Sequence, residues 1–336
     1  METSMLFWLI FSAVFAFAFV MDLFVTGRIK HKLETKKALM WTTTWISLAC
    51  SFGVLIYFYF PDGEVKAMEF ITSYIIEYSL SVDNLFVFIM IFGVMGIKQQ
   101  HQPRILKWGI IGAIVMRILF ITAGVGLIQK FQFMTYVFGA ILIYTAYKML
   151  TSHDKKIEPE KNIFVRLISK VIKIKPDEEG DHFLVRHNNT TYGTVALVTL
   201  LLIESTDVIF AVDSIPAVLA ITRDPFIAIT SNLFAIVGLR SLYFALAGIL
   251  GLFQFLKYGI TVVLFFVGVK MLIAGYYHIP VQISLAVIIF CLTASILASL
   301  FVMWRFRTKP ATSLRDNVTL DNLNPKPLEL LKKSET

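Results

Sequence analysis

The sequence predicts an all-α integral membrane protein with about nine transmembrane helices, and three observations support this fold class. Of the 336 residues, 57% are apolar and only 16% are charged, which leaves too little polar surface to cover a water-soluble globule of this size. Apolar runs of about 20 residues recur, and each can cross a hydrocarbon layer about 30 Å thick as a helix. The alternating pattern of a membrane β-barrel is absent from the sequence, and open sheet edges do not occur in lipid.

The apolar runs and their charged connections divide the chain into six regions. The nine spans are predicted at 4–25, 38–60, 69–96, 108–128, 131–150, 193–221, 226–250, 257–276 and 281–304. We expect two peripheral helices in 1–66, a first three-helix repeat in 67–150, a cytoplasmic linker in 151–190, a second three-helix repeat in 191–278, a last helix in 279–304 and a disordered cytoplasmic tail in 305–336.

Lys and Arg are distributed unequally between the two sides of the predicted bundle. One side carries Arg28, Lys30, Lys32, Lys36, Lys37, Lys98, Arg104 and Lys107, whereas the opposite loops carry only Lys66, Lys130 and Arg223. Because basic loops stay in the cytoplasm, the N-terminus is predicted outside and the C-terminus inside. The net charge of +8 is thereby explained by orientation, and we expect no nucleic-acid partner.

A repeat of charged residues predicts two equivalent halves. The first copy carries Glu77, Asp83, Arg117 and Lys148, and the second carries Asp207, Asp213, Arg240 and Lys270. Both acid pairs are six residues apart, and each Lys begins a Lys-Met-Leu sequence. Each copy holds three spans, an odd number, so the second copy enters the membrane from the opposite side. The sequence therefore predicts an inverted repeat whose equivalent residues meet near the midplane.

Five carboxylates lie well inside predicted spans, where each ionised group costs at least about 2.5 to 3.5 kcal/mol if unpaired. They are Glu77, Asp83, Glu204, Asp207 and Asp213. One interpretation is purely structural, because Arg117, Arg240, Lys148 and Lys270 nearly balance these acids. Buried ion pairs, however, seldom stabilise better than apolar packing, which favours a function for the charges. Arg117 and Arg240 are then expected to hold carboxylates when no metal is bound, and Lys148 and Lys270 to compensate charge or extend to the interface.

Oxygen donors without thiolates or a histidine cluster favour a hard divalent cation, Mn²⁺, Mg²⁺ or Ca²⁺. We expect Asp83 and Asp213 as central ligands, with Glu77 and the Glu204/Asp207 pair nearer the two mouths. Acids six residues apart lie about 9 Å apart along a regular helix. Either the helix breaks between them, as Pro216 would allow in the second copy, or the acids mark successive stations along a path.

Two further expectations concern protons and a gate. Glu204 and Asp207 are three residues apart and share one helix face, so they can share one proton and release it when metal binds. Protons are therefore a candidate coupling ion. Asp22, near the inner end of the first span, is a candidate gate residue. The sequence leaves the oligomeric state open.

Long stretches of the chain resemble the TerC family of bacterial membrane proteins, in particular its Alx branch, from about Phe15 to Trp304. They are 77–84 (EYSLSVDN), 204–216 (ESTDVIFAVDSIP), 224–226 (DPF), 230–240 (TSNLFAIVGLR) and 277–280 (YHIP). The resemblance implies export of Mn²⁺ across the bacterial cytoplasmic (inner) membrane, and links to tellurite resistance and to the metal supply of exported enzymes. It implies a metal path along Glu77, Asp83, Glu204, Asp207 and Asp213, with Asn84 and Asn232.

The alternative is a membrane scaffold of a tellurite or stress-resistance or secretion complex, without transport of its own. That interpretation predicts that the intramembrane acids tolerate neutral replacement. An enzyme is not expected, because the sequence contains no nucleophile elbow, His-rich metal motif or phosphate loop. Mn²⁺ is expected as the transported substrate, the bilayer as the surroundings, and no organic cofactor.

Overall fold

The computed structural model describes residues 5–27, 35–151, 182–187, 190–249, 255–277 and 279–306, with the backbone alone at a few positions within them. The described elements are the helices α1 (Met5–Gly27), α2 (Thr35–Tyr59), α3 (Gly63–Val94), α4 (Gln102–Lys130) and α5 (Met134–Thr151), the strands β1 (Leu184–His187) and β2 (Thr190–Gly193), and the helices α6 (Val195–Leu219), α7 (Pro225–Ile236), α8 (Leu239–Ile249), α9 (Leu256–Ile273) and α10 (Val281–Phe306). Most of the predicted linker and nearly all of the predicted tail lie outside the described residues.

The all-α membrane fold is confirmed. Within the described part, seven helices are long and apolar enough to cross a membrane, and an eighth span results if the bent pair α7 and α8 counts as one. The remaining predicted span, 131–150, is also helical, as α5, but its threonines, tyrosines and Lys148 lower its mean hydropathy. The inverted order of the two three-helix units stays a prediction.

The helices α3 and α6 lie against each other and run in opposite directions. At one end, Thr222, just after α6, donates a 2.6 Å hydrogen bond to Glu69 in the second turn of α3. At the other end, Phe88 of α3 and Ile203 of α6 line the same cavity. The two helices that carry the predicted acids are therefore antiparallel neighbours at the centre of the bundle.

An aromatic cluster fastens α1 and α2 to α7. The ring of Phe226 lies 4.9 Å from that of Trp8 and 5.5 Å from that of Phe60, between centroids. Phe52 lies 4.9 Å from Phe234 in the same way. Aromatic rings at these separations add to the free energy of simple burial. The two helices predicted to be peripheral are thus packed onto the second half of the chain.

The chain bends at a place the sequence analysis did not predict. Helix α6 continues through Pro216, so the helix break that the sequence would allow near this proline does not occur. The break lies between α7 and α8, whose axes differ by 43°, and Gly238 occupies it with φ of +87°. A side chain at Gly238 would be strained by this φ and would also collide with the Trp45 ring of α2. Glycine is therefore required at the bend.

Two short antiparallel strands precede α6 at the end of the predicted linker. Strands β1 and β2 pair antiparallel, with Leu184 opposite Gly193. Thr194 follows as the N-cap of α6, and its hydroxyl accepts a 3.3 Å hydrogen bond from the Leu197 amide. The described residues at the end of the predicted linker thus belong to a two-stranded sheet that precedes the helix bearing Glu204.

Helices α5 and α9 approach each other through glycines. A Cβ atom at Gly268 would lie 2.9 Å from the Gly139 carbonyl oxygen and from Ile143, and one at Gly139 would lie 3.0 Å from the Gly268 carbonyl oxygen. Small residues permit such close backbone contact between membrane helices, where van der Waals packing holds helices together.

We expect Gly268→Ala to lower the free energy of unfolding by about 1 to 3 kcal/mol, because the added methyl group meets backbone that cannot move aside. The matched control is Gly126→Ala in α4, where a Cβ would meet nothing within 4 Å. The measurement is the thermal unfolding midpoint of each variant in detergent. Equal midpoints for the two variants would show that the contact between α5 and α9 is looser than described.

Candidate functional site

Arg117 gathers polar groups from three neighbouring helices in the middle of the bundle. Its side chain is 2% exposed. The Nη1 group donates hydrogen bonds to the Glu77 carboxylate of α3 and to Asn232 Oδ1 of α7, the latter over 2.8 Å. The Nη2 group lies 3.6 Å from Asp207 Oδ1 of α6. We call Arg117, Glu77, Asp207 and Asn232 the central cluster.

The central cluster satisfies only part of its own hydrogen-bonding capacity. Among the described side chains, four of its buried atoms have no hydrogen-bond partner: Glu77 Oε2, Asp207 Oδ2, Arg117 Nε and Asn232 Nδ2. A buried polar atom without a partner costs about 1 to 3 kcal/mol, and more when it belongs to a charged group. One atom in each of four side chains is thus left for a further ligand.

The structure corrects the predicted order of the acids. Glu77 and Asp207 were expected nearer opposite mouths, but both contact the guanidinium of Arg117. The reason is the antiparallel packing of α3 and α6, which brings the middles of the two helices to the same depth. Arg117 thus contacts one acid from each of the two predicted repeats.

Asp83 and Asp213, the predicted central ligands, lie on α3 and α6, and the described residues include their backbone only. Neither helix breaks between its two acids, so each aspartate lies about 9 Å along its axis from Glu77 or Asp207. Since α3 and α6 are antiparallel, these two steps go in opposite directions from the central cluster. Of the two alternatives, successive stations along a path describe the backbone better than one shared ion.

Glu204 lies against the backbone of α4. A Cβ atom at Gly112 would overlap its carboxylate, and one at Gly109 would lie 4.0 Å from its Oε1. Glu204 is half-buried and interacts electrostatically with Asp207, three residues further along α6. The two carboxylates therefore share one side of the helix, as predicted, and Gly112 provides the space for the first.

A cavity lies beside the central cluster. It is lined by residues of α3, α4 and α6 and of the bend between α7 and α8, and its volume is about 20 Å³. That is room for about one water molecule or one bare ion. Arg117 and Asp207 form part of its lining, and Ser81 and Asn84 supply further polar groups. Asn84 is thus placed next to the cluster, as expected of a path residue.

The described side chains bring no three His, Cys, Asp or Glu residues together as a ready metal site. The central cluster supplies two carboxylates and one amide oxygen, which are ligands that hard cations prefer. The Arg117 guanidinium stands among them where a cation would neutralise the same charges. A divalent ion could bind these oxygens only if Arg117 releases them.

Arg240 does not repeat the contacts of Arg117. It is 2% exposed and lies 3.9 Å from Asp22 Oδ2 of α1, two residues after Gly238. The predicted gate residue Asp22 is therefore the acid that faces Arg240, at the bend between α7 and α8. Arg240, like Arg117, therefore faces a carboxylate, but its partner lies outside the predicted repeat.

The two predicted charge-compensating lysines differ in their surroundings. Lys148 is exposed in the last turn of α5, and no ion pair involving it occurs among the described residues. Lys270 is 8% exposed, and its ammonium donates a 2.9 Å hydrogen bond to Ser284 Oγ of α10. Lys270 also interacts electrostatically with Glu69, an acid that the sequence analysis did not count.

A second polar network lies at the start of α3. The sequence analysis missed it because Glu69 was not counted among the acids inside the spans. Glu69 accepts hydrogen bonds from Lys66 over 2.9 Å and from Thr222 over 2.6 Å, and Lys66 lies 3.7 Å from Asp224 Oδ2. Glu69 falls at the predicted edge of a span, where a charge is ordinary. The available signal was its position eight residues before Glu77, on nearly the same helix face.

Comparison with known proteins places this bundle in a family. The family model described as integral membrane protein TerC matches residues 62–307. A membrane-bound redox modulator named Alx from Escherichia coli K12 is 40% identical over 307 residues, covering 89% of this chain and 96% of the relative. An uncharacterized membrane protein of Myxococcus xanthus is 44% identical over 293 residues, covering 87% and 91%.

A further relative is an uncharacterized membrane protein of Rickettsia felis, 40% identical over 293 residues, with 87% of this chain and 97% of the relative covered. No solved structure matches the chain. The matched segment contains α3 to α10 and with them the whole central cluster. The chain belongs to the TerC family of integral membrane proteins.

Proposed function

We propose that the protein is a secondary transporter that exports a divalent metal cation, Mn²⁺ before other candidates, from the cytoplasm. The observation that carries the proposal is the central cluster, in which two carboxylates from opposed helices share one guanidinium and each keeps an oxygen without a partner. An ion pair that served only the structure would gain nothing from two carboxylate oxygens without partners, whereas a cation that binds transiently would use both oxygens as ligands.

The position of the cavity supports loading from the cytoplasm. Its lining includes four residues between 81 and 88 in the second half of α3 and four between 106 and 113 in the first half of α4. With the orientation predicted from the loop charges, both segments belong to the cytoplasmic half of the membrane. The cavity therefore lies on the inner side of Arg117.

Arg117 acts in this proposal as the resident counter-charge. With no metal bound, its single positive charge offsets one of the two negative charges of Glu77 and Asp207 and reduces their mutual repulsion. A divalent cation supplies the same compensation at shorter oxygen distances, so Arg117 must withdraw as the ion enters. Exchange of the guanidinium for a divalent cation changes the net charge of the two carboxylates and their partner by only one unit, so a positive partner is present in both states.

We expect Glu77→Gln and Asp207→Asn each to lower Mn²⁺ transport by proteoliposomes by about tenfold or more, since loss of even indirect metal partners has effects of that size. Glu64→Gln, an exposed acid in the first turn of α3, is the matched control. Asp83→Asn and Asp213→Asn should also impair export, and cells that express either variant should therefore contain more manganese than cells with the wild-type protein. Transport at the control rate in all four variants would favour the scaffold.

Arg117→Gln should lower the free energy of unfolding by about 3 to 5 kcal/mol without metal, because it leaves two buried carboxylates uncompensated. Saturating Mn²⁺ should recover much of this loss, since the ion replaces the guanidinium. The measurement is the unfolding midpoint in detergent with and without Mn²⁺. Arg104→Gln, exposed on the same helix, is the control, and a deficit in Arg117→Gln that ignores Mn²⁺ would contradict the exchange.

We further propose that Glu204 passes protons to Asp207 in exchange for metal. Their adjacency on α6 and the position of Asp207 on the cavity wall support this step. Glu204→Gln is expected to remove the response of Mn²⁺ flux to an imposed pH gradient, because it removes one of two coupled carboxylates. Vesicles that carry wild-type protein and transport Mn²⁺ at the same rate with and without the gradient would rule out proton coupling.

A further inference from the structure

We infer that α3 carries a second divalent-cation site near its start, formed by Glu69, Asp224 and Thr222, and that the Lys66 ammonium occupies this site in the structure. The inference rests on the proposed function and adds a station for the ion on the side of Arg117 away from the cavity. The predicted orientation places this station in the outer half of the membrane.

We call Glu69, Thr222 and Asp224 the outer station. Its oxygens come from α3 and from the loop between α6 and α7, and they surround the Lys66 ammonium. Lys66 Nζ lies 2.9 Å from Glu69 Oε2 and 3.7 Å from Asp224 Oδ2. Thr222 Oγ1 lies 2.6 Å from the same Glu69 oxygen. A metal ion in place of the ammonium would therefore meet two carboxylates and a hydroxyl, a set of hard donors that suits Mn²⁺, Mg²⁺ or Ca²⁺.

The Asp224 carboxylate has its position fixed by the chain. Its Oδ1 accepts a 3.0 Å hydrogen bond from the Phe226 amide at the start of α7, and the Asp224 amide donates a 3.2 Å hydrogen bond to Thr222 Oγ1. The loop between α6 and α7 therefore presents Asp224 Oδ2 and the Thr222 hydroxyl on the side that faces α3. Only Lys66 would have to leave for an ion to enter.

Ser73 is the independent observation that connects this station to the central cluster. It is fully buried, and among the described side chains its hydroxyl has no hydrogen-bond partner. Side chains four residues apart lie above one another on a helix and lean toward its N-terminus. Glu69, Ser73 and Glu77 therefore form a line on α3, with the unused Ser73 oxygen between the two carboxylates along the helix.

A line of oxygens about 6 Å apart gives an ion successive partners in an otherwise apolar wall. The central cluster and the outer station share one design, in which a basic side chain stands where the ion would be. Lys270, which also interacts with Glu69, adds positive charge that lowers the affinity of the outer station. Return of Lys66 to Glu69 would then expel the metal outward and block its re-entry.

The test counts Mn²⁺ bound to full-length protein in detergent, by loss of the free-ion paramagnetic resonance signal. The parent is Glu77→Gln/Asp207→Asn, whose central cluster lacks both carboxylates. Adding Lys66→Met should increase bound Mn²⁺ by one ion per chain, because it vacates the outer oxygens. Adding Glu69→Gln as well should abolish the increase. Lys130→Met, an exposed lysine that ends α4, is the control for loss of positive charge.

No increase with Lys66→Met relative to Lys130→Met, or an increase that survives Glu69→Gln, would overturn the inference. Lys66→Gln is the second variant if Lys66→Met is not monodisperse by gel filtration. Glu69→Gln alone should slow Mn²⁺ transport by about tenfold while Mn²⁺ binding to the central cluster persists. If the protein is not a transporter, wild-type vesicles fail to move Mn²⁺, but the binding result at the outer station is unaffected.

Discussion

The ion pairs between Arg117 and its two carboxylates determine how four helices can pack. An unpaired charge at this depth costs at least about 2.5 to 3.5 kcal/mol, so α3, α4 and α6 must converge on the guanidinium, and α7 joins them through Asn232. Close approach needs small residues, and Gly112 of α4 provides the space for Glu204 beside the pair. The apolar packing farther out is arranged around this requirement.

A basic side chain that can be displaced gives the two carboxylates of the central cluster two alternative counter-charges. With Arg117 among the acids the centre is closed to ions, and with a cation there the arginine needs another location. The cavity that Arg117 borders, with room for about one water molecule, is free volume beside the guanidinium. In both arrangements the carboxylates have a positive partner, which keeps the free energies of the two states closer than an empty site would, as alternating access requires.

Sequence reasoning identified the fold class and most of the central cluster, because mid-span charges are costly and therefore conspicuous. It paired Arg117 with acids correctly and included Asn232 only through family resemblance. It misplaced Glu77 and Asp207 because the packing of α3 against α6 depends on tertiary contacts that the sequence pattern does not specify. It missed the bend at Gly238, since a single glycine in an apolar run is common, and it missed Glu69, since a charge at a span edge carries little cost.

The bend lies where the two N-terminal helices meet the second half of the chain. Helices α1 and α2 precede the segment 62–307 matched by the family model, yet they supply Asp22 opposite Arg240 and the Trp45 ring over Gly238. Asn232 lies six residues before Gly238 on the other arm of the same bend. Because Asp22 and Trp45 contact one end of this bend and Asn232 lies at the other, a shift of α1 or α2 would change the angle at Gly238 and with it the position of the amide that accepts a hydrogen bond from Arg117.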